Sequence, residues 1–340
     1  MKHLYFFVTA CFCYSLLDAQ MSSTSTSTPA TIITAFSGKN VTITGLTIGG
    51  NGAPQLADAM GIFTGGKSNL SSPNIGLESG FVMTTGNAGN VNPNSSVKGP
   101  NNSQASIQGD GVPEVDTDLE LLTELDKYDR KFITFTIVPS SSVLTGTIVF
   151  GSEEYPQYVG SEFNDASAII IDGPGIISNG AYSDLDANAA TPSRNLAVFA
   201  SGAALTINQV NSGIRGDGSD ATTPINVNNS EFYVRNYTGS DADAQGTEGG
   251  FPNLQPNGFT RPMTFRVAVI PGQSYRMKIV IADVGDGTFD SQMFFKLLSS
   301  NSGDRDFGDL PASFNANDQQ IVSDNATAIG VLDSSLLQAM

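Results

Sequence analysis

The chain predicts an all-β protein, a two-sheet β-sandwich with jelly-roll-like connections and one short helix. Three observations carry that prediction. Short runs rich in Val, Ile, Phe and Thr recur from about Thr31 to Leu298, separated by loops rich in Gly, Asn and Pro. The clearest runs alternate: Phe265, Val267 and Val269 share one face of residues 264–270, and Tyr275, Met277, Ile279 and Ile281 share one face of residues 274–282. Such alternation marks strands with one buried and one wet face, and Arg276 and Lys278 fall on the wet one. The third observation is that a single stretch, residues 116–127, reads as helical, with Leu119, Leu122 and Leu125 near helical spacing and Thr117 with Glu120 as a capping box. One helix against about ten strands is a sheet-on-sheet architecture.

Taken in order, residues 41–48 carry Val41, Ile43, Leu46 and Ile48 around Gly45, which predicts a strand with a bulge or bend. Residues 132–138 and 143–150, separated by Pro139-Ser140-Ser141-Ser142, read as a hairpin. Residues 168–171, 195–200, 204–210 and 231–237 continue the strand pattern, and 291–298 adds the last. No internal repeat or linker interrupts residues 31–300, which are read as one domain. Residues 21–30, polar and of low complexity, read as a disordered spacer. After residue 300 the pattern weakens into Asp/Asn-rich loops and an apolar stretch over 329–337, and 301–340 is read as a sorting or partner-binding tail.

Composition removes many functions. The chain has one His, two Cys and no Trp, and His3, Cys11 and Cys13 all fall within the first twenty positions, where Lys2 and His3 precede an apolar run ending at Leu17. That pattern is a secretory signal peptide over residues 1–20, too short to anchor in a bilayer. A lipoprotein reading through Cys11 is disfavoured, because Cys11 interrupts the apolar run instead of following it. Without the leader the protein has no disulfides, no His- or Cys-based zinc site, and no histidine or cysteine for triad catalysis. A net charge of −17 with only 14% charged residues reflects scarce Lys and Arg, so attraction to nucleic acid or anionic lipid is not expected. No later run reaches the roughly 18 apolar residues of a membrane span. The expected localisation is secreted or cell-surface.

The chemistry-bearing residues gather in two blocks. Residues 150–165 contain Glu153, Glu154, Asn164 and Asp165, and residues 282–291 contain Asp283, Asp286 and Asp290; both follow apolar runs. Hard cations such as Ca²⁺ take oxygen ligands from loops, and Gly285 and Gly287 allow a tight turn between the acids. These seven residues are therefore the candidate ligands of a structural calcium ion, because carboxylates gathered without a cation repel one another. The alternative is solvated turn chemistry, with Asp and Asn bonding to nearby backbone. A catalytic reading pairs Glu153 or Glu154 with Asp286 or Asp290 as the carboxyls of an extracellular glycan hydrolase. Glu153 and Glu154 cannot form that pair themselves, since neighbours on a strand point to opposite faces. Tyr155 and Tyr158 could stack on a sugar, though turn tyrosines more often close a core edge. The Asn-x-Ser/Thr triplets and Arg215-Gly216-Asp217 follow from composition and are assigned no role.

The order of several short blocks resembles the choice-of-anchor L domain family. The matching segments are Ser79-Gly80-Phe81-Val82-Met83-Thr84-Thr85-Gly86, Gly99-Pro100-Asn101-Asn102 and Asp116-Thr117-Asp118-Leu119, then Phe150-Gly151-Ser152-Glu153-Glu154-Tyr155-Pro156-Gln157-Tyr158-Val159, Phe163-Asn164-Asp165 and Asp172-Gly173-Pro174-Gly175. Gly258-Phe259-Thr260, Pro271-Gly272-Gln273-Ser274-Tyr275 and Ile281-Ala282-Asp283-Val284-Gly285-Asp286-Gly287 complete the series, so the likeness spans residues 32–300. It implies an exported bacterial protein, with the domain usually placed before a membrane, wall or secretion-system sorting tail. The reading of the whole chain is a binding module in adhesion or extracellular assembly, with a surface protein, a glycan or its own copies as partner. Two departures stand out. The chain ends without a Pro-Glu-Pro tail, a Leu-Pro-x-Thr-Gly signal or a basic end after a span, and residues 240–250 look like a loop insertion.

Overall fold

The computed structural model describes residues 21–50, 56–67, 75–89, 113–182, 192–213, 229–236, 254 and 256–301. The expected signal peptide, the tail beyond residue 301, the insertion at 240–250 and Arg215-Gly216-Asp217 lie outside the described residues.

Among the described residues, thirteen strands form two antiparallel sheets. In chain order they are β1 (Ser22–Ser25), β2 (Val41–Gly50), β3 (Met60–Thr64), β4 (Ser79–Thr84), β5 (Lys127–Pro139), β6 (Val143–Ser152) and β7 (Ala166–Asp172). There follow β8 (Ser193–Asn195), β9 (Tyr233–Arg235), β10 (Gly258–Thr260), β11 (Met263–Ala268), β12 (Tyr275–Val284) and β13 (Ser291–Asn301). The larger sheet runs β1-β3-β4-β13-β6-β10-β9, with β11 also paired to β6, and the smaller runs β2-β5-β12-β7-β8. Consecutive strands repeatedly change sheet, as β5 to β6, β6 to β7, β11 to β12 and β12 to β13 do. Each change needs a loop across the end of the sandwich, and this gathers residues from distant parts of the sequence.

The core fills the gap between the sheets. Ile133, Phe135 and Ile137 of β5 and Ile279 and Ile281 of β12 face Ile148 and Phe150 of β6 and Met293 and Phe295 of β13, all buried. Helix α1 (Pro29–Phe36) inserts Ile32 and Phe36 into the same core. Pro29 suits the first turn because its missing N–H has no partner there to lose. The Phe36 ring lies 6.0, 5.4 and 5.2 Å from those of Phe81, Phe135 and Phe295. A smaller apolar layer, with Val82, Val149, Phe259 and Phe294, covers the outer face of the larger sheet.

The bulge in the first long strand is present: the β2–β5 register shifts between Thr44 and Thr47, and Gly45 has φ 65°. Other expectations are corrected. β5 and β6 are not a hairpin, since they belong to different sheets and the Pro-Ser-Ser-Ser segment crosses between them. Residues 21–30 are not a free spacer: β1 pairs with β3, and α1 starts at Pro29. The helix expected over 116–127 reduces to a 3₁₀ turn at Leu119–Leu121, and Asp116, not Thr117, caps it by accepting the Asp118 and Leu119 amides, each at 3.1 Å. Residues 195–200 and 204–210 form only Asn195 of β8, isolated bridges at Val198, Ala204 and Thr206, and a 3₁₀ turn at Ile207–Gln209.

The wet face assigned to β12 is also covered. The segment before β5 packs Leu119 over Val280, Ala282 and Val284. Lys278 is buried there, with Nζ 2.8 Å from Asp116 Oδ2 and 2.9 Å from Asp118 Oδ2. Arg130 adds a contact to Asp116 at 2.8 Å and stands 4.9 Å from the Phe132 ring. Alternation correctly separates Lys278 from the core but carries no information about a segment folding over that outer face.

Candidate functional site: an acidic end between the sheets

Strand phase builds the site. Ile279 and Ile281 face the core, so two residues on Asp283 also falls on an inward position, one residue before β12 ends. On β7, Ile169 and Ile171 face inward and the same phase leads back to Asp165. On β5, Ile133 and Phe135 lead back to Lys131, and on β6, Phe150 leads on to Ser152, with Glu154 in the turn just beyond. The apolar core thus gives way at one end of the sandwich to a buried polar layer. Glu154, Asp165 and Asp283 are each at most 1% exposed there, and Glu153 and Asp290, paired at the edge of this end, at most 4%.

The two acidic loops meet here. The Glu153 amide donates to the Asp290 carbonyl at 3.1 Å, continuing the β6–β13 ladder past the Ser152–Ser291 pair. Asp165 joins three strands: its carboxylate accepts the Val284 amide at 3.0 Å and the Ser291 hydroxyl at 2.5 Å. Ser291 is held in turn by Thr85, whose Oγ1 accepts the Ser291 amide at 2.9 Å. Asn164 is engaged as a clip, its side-chain oxygen accepting the Asn208 amide at 2.9 Å. Asp286 is half-buried and accepts the Thr288 amide at 2.9 Å within its own turn, while Gly285 donates to the Asp126 carbonyl at 3.0 Å. Tyr155 belongs to the core, its hydroxyl on the Val210 carbonyl and its ring 5.0 Å from that of Tyr233. Tyr158 is half-buried at the rim, with Phe163 and Phe289 at 5.2 and 5.6 Å.

Charge dominates the chemistry of this end. Burial, then repulsion from Asp165, Asp286, Glu153 and Asp290, pushes Glu154 well above the usual carboxylate range. Burial likewise drives Asp283 well up, with Asp165 and Asp290 adding to it and the Thr85 hydroxyl opposing. Asp165 is pushed up to about 8 by burial, although its bonds from Ser291 and Val284 favour the charged form. Lys131 reaches the cluster from β5, but its own burial lowers its affinity for a proton. Glu154 Oε2 and both carboxylate oxygens of Asp283 are buried without a hydrogen-bond partner of good geometry. Among the described residues, no three His, Cys, Asp or Glu side chains are grouped so as to hold a metal ion between them.

The sequence reading missed Lys131 and Thr85. The signal for Lys131 was available, as a charged residue in phase with Ile133, Phe135 and Ile137. Thr85 has no such signal, because its role depends on which strand lies next to β4.

The fold and site define a two-sheet β-sandwich with a buried acidic end. The chain belongs to the choice-of-anchor L domain family, whose pattern it matches over residues 20–301. This is not an enzyme family, and membership points to an exported, surface-associated protein. No curated protein and no solved structure matches the chain. Among the described residues, no helix is long and apolar enough to cross a membrane.

Proposed function

We propose that this protein is a surface-displayed β-sandwich that acts by binding, in adhesion or extracellular assembly, with calcium held at its acidic end. One observation carries the calcium reading: Glu154 and Asp283, almost fully buried, keep carboxylate oxygens without a hydrogen-bond partner of good geometry. A buried charge is tolerated when it is paired or coordinates a metal, and oxygen-only ligands of this kind suit Ca²⁺. The ion is structural in this reading. It fixes the β6–β7 and β12–β13 crossings in a fold whose Cys residues all lie in the leader. The half-buried aromatic rim of Tyr158, Phe163 and Phe289 then presents a rigid surface to a cell-surface protein, a glycan or a second copy.

The glycan-hydrolase alternative needs two carboxyls open to a sugar. Glu153, Glu154 and Asp290 are instead closed from solvent, and only Asp286 is half-exposed. The deciding experiment is thermal unfolding of the mature protein with excess Ca²⁺ and after chelation. A ligand that binds only the folded state raises stability by mass action. Identical transitions under both conditions would sink the calcium reading, and turnover on a polysaccharide panel that is lost in Glu154→Gln would favour the hydrolase instead.

A further inference from the structure

Glu153 extends the β6 pairing one residue past the strand, on the outer side after Val149 and Gly151, while Glu154 belongs to the turn beyond it and lies near Asp165 and Asp286. The outer side carries its own polar group, made of carboxamides. Gln292 stands across from Gly151 in the β6–β13 pairing. Asn257 directly precedes β10, whose Gly258 and Phe259 pair with Ser152 and Gly151, and its Nδ2 donates to the Glu153 carbonyl at 3.1 Å. Asn236 donates its amide to the Asn257 carbonyl at 2.8 Å and its Nδ2 to the carbonyls of Leu254 and Pro256 at 3.0 and 2.6 Å.

Each of these carboxamides is at most 2% exposed. The donors of Asn236 and Asn257 are used by backbone carbonyls, but Oδ1 of both, and both polar atoms of Gln292, have no partner. Folds rarely keep buried polar atoms unsatisfied. Their number here, on three different chain segments beside the end of β6, calls for a specific occupant.

We propose a second cation site on this outer face, with Ca²⁺ held by the Glu153 carboxylate and by the carboxamide oxygens of Asn236, Asn257 and Gln292. Calcium accepts neutral carboxamide oxygens alongside carboxylates. The site goes beyond the reading above, which concerns Glu154 and Asp283.

The test is calcium titration calorimetry on the mature protein, with bound calcium counted after desalting, in wild type and in Glu153→Gln, Gln292→Leu and Glu154→Gln. Leu at position 292 is apolar beside the Phe294 layer, so the chelated Gln292→Leu protein should melt no lower than wild type. The expected result is that Gln292→Leu and Glu153→Gln each lose one ion, or weaken it by at least ~10-fold, and keep the ion that Glu154→Gln removes. Full wild-type stoichiometry and affinity in Gln292→Leu would overturn the proposal, leaving a buried water as the occupant. Loss of the same single ion in all three variants would overturn it too, with one shared site in its place. Neither of those results touches the reading for Glu154 and Asp283, which fails only if Glu154→Gln leaves calcium binding unchanged.

Discussion

The Glu153 amide and the Asp290 carbonyl, 3.1 Å apart, join the two acidic blocks of the sequence into one structural unit. That bond extends the β6–β13 ladder beyond Ser152 and Ser291, so the blocks are brought together by sheet pairing and not by attraction between their side chains. Because the ladder imposes the approach, the side chains carry an electrostatic cost that an ion can offset.

The first prediction concerns that cost. In chelator, Glu154→Gln and Asp283→Asn should melt above wild type, since each removes a buried charge from a like-charged group. Ca²⁺ at about 100 times its Kd should stabilise wild type by ~2.7 kcal/mol, and both variants should lose most of that gain. Differential scanning calorimetry in calcium and in EGTA reads both effects. Variants less stable than wild type in chelator would show that the carboxylates are held by direct bonds instead.

The second prediction is a pH dependence of reversed sign. Asp165 has its ordinary value of 3.8 when unfolded and is pushed up to about 8 when folded, so between those values the folded state holds the extra proton. Stability without calcium therefore falls as pH rises from about 4 to about 8. Glu154 and Asp283 shift in the same direction, chiefly through burial, with Asp165 and Asp290 opposing the ionisation of both, Asp286 that of Glu154, and Lys131 supporting it for Asp283. Calcium binds the ionised carboxylates, so the stabilisation it provides should grow over the same interval. Urea unfolding at pH 5 and pH 8, with and without calcium, checks it. A calcium-free protein that is more stable at pH 8 would refute it.

The third prediction lies on the outer face of the smaller sheet. Lys278→Met leaves Asp116 with Arg130 alone and takes the buried ammonium away from Asp118. Breaking a buried ion pair from one side costs about 3–5 kcal/mol. The urea midpoint should fall accordingly, while the calcium response stays unchanged because the acidic end is a separate group of residues.

The fourth prediction tests the core. Phe36 contacts rings from both sheets, Phe135 on one side and Phe81 and Phe295 on the other. Phe36→Ala should cost about 3–5 kcal/mol through lost burial and the cavity left behind. A loss below about 1 kcal/mol, measured by chemical denaturation, would mean that α1 can leave without disturbing the sandwich.

The Gly45 bulge and the alternation of β11 and β12 were legible because each is local to its own strand. The β5–β6 hairpin was misread because loop length and turn residues do not say which sheet the next strand joins. The 116–127 helix failed for a related reason: Asp116 and Asp118 are drawn to Lys278, and that tertiary pull leaves a single 3₁₀ turn. At the site, clustering of acids named Glu153, Glu154, Asp165, Asp283, Asp286 and Asp290, which the fold brings to one end, and gave Asn164 the same weight although its side-chain oxygen serves Asn208. The carboxamides of Asn236, Asn257 and Gln292 gave no signal, since isolated Asn and Gln residues are common in a chain of this composition.

The sequence by itself determined the all-β class, the family and the two acidic blocks, because alternation, composition and short ordered motifs are all written along the chain. Tertiary structure alone decided which strands lie side by side. That pairing joins Glu153 to Asp290, turns Asp165 and Asp283 inward together, and sets Gln292 and Asn257 beside the end of β6. The physical reason is that burial, which sets the charge and bonding of these groups, depends on neighbours distant in sequence, and a strand's own pattern fixes its faces but not its neighbours.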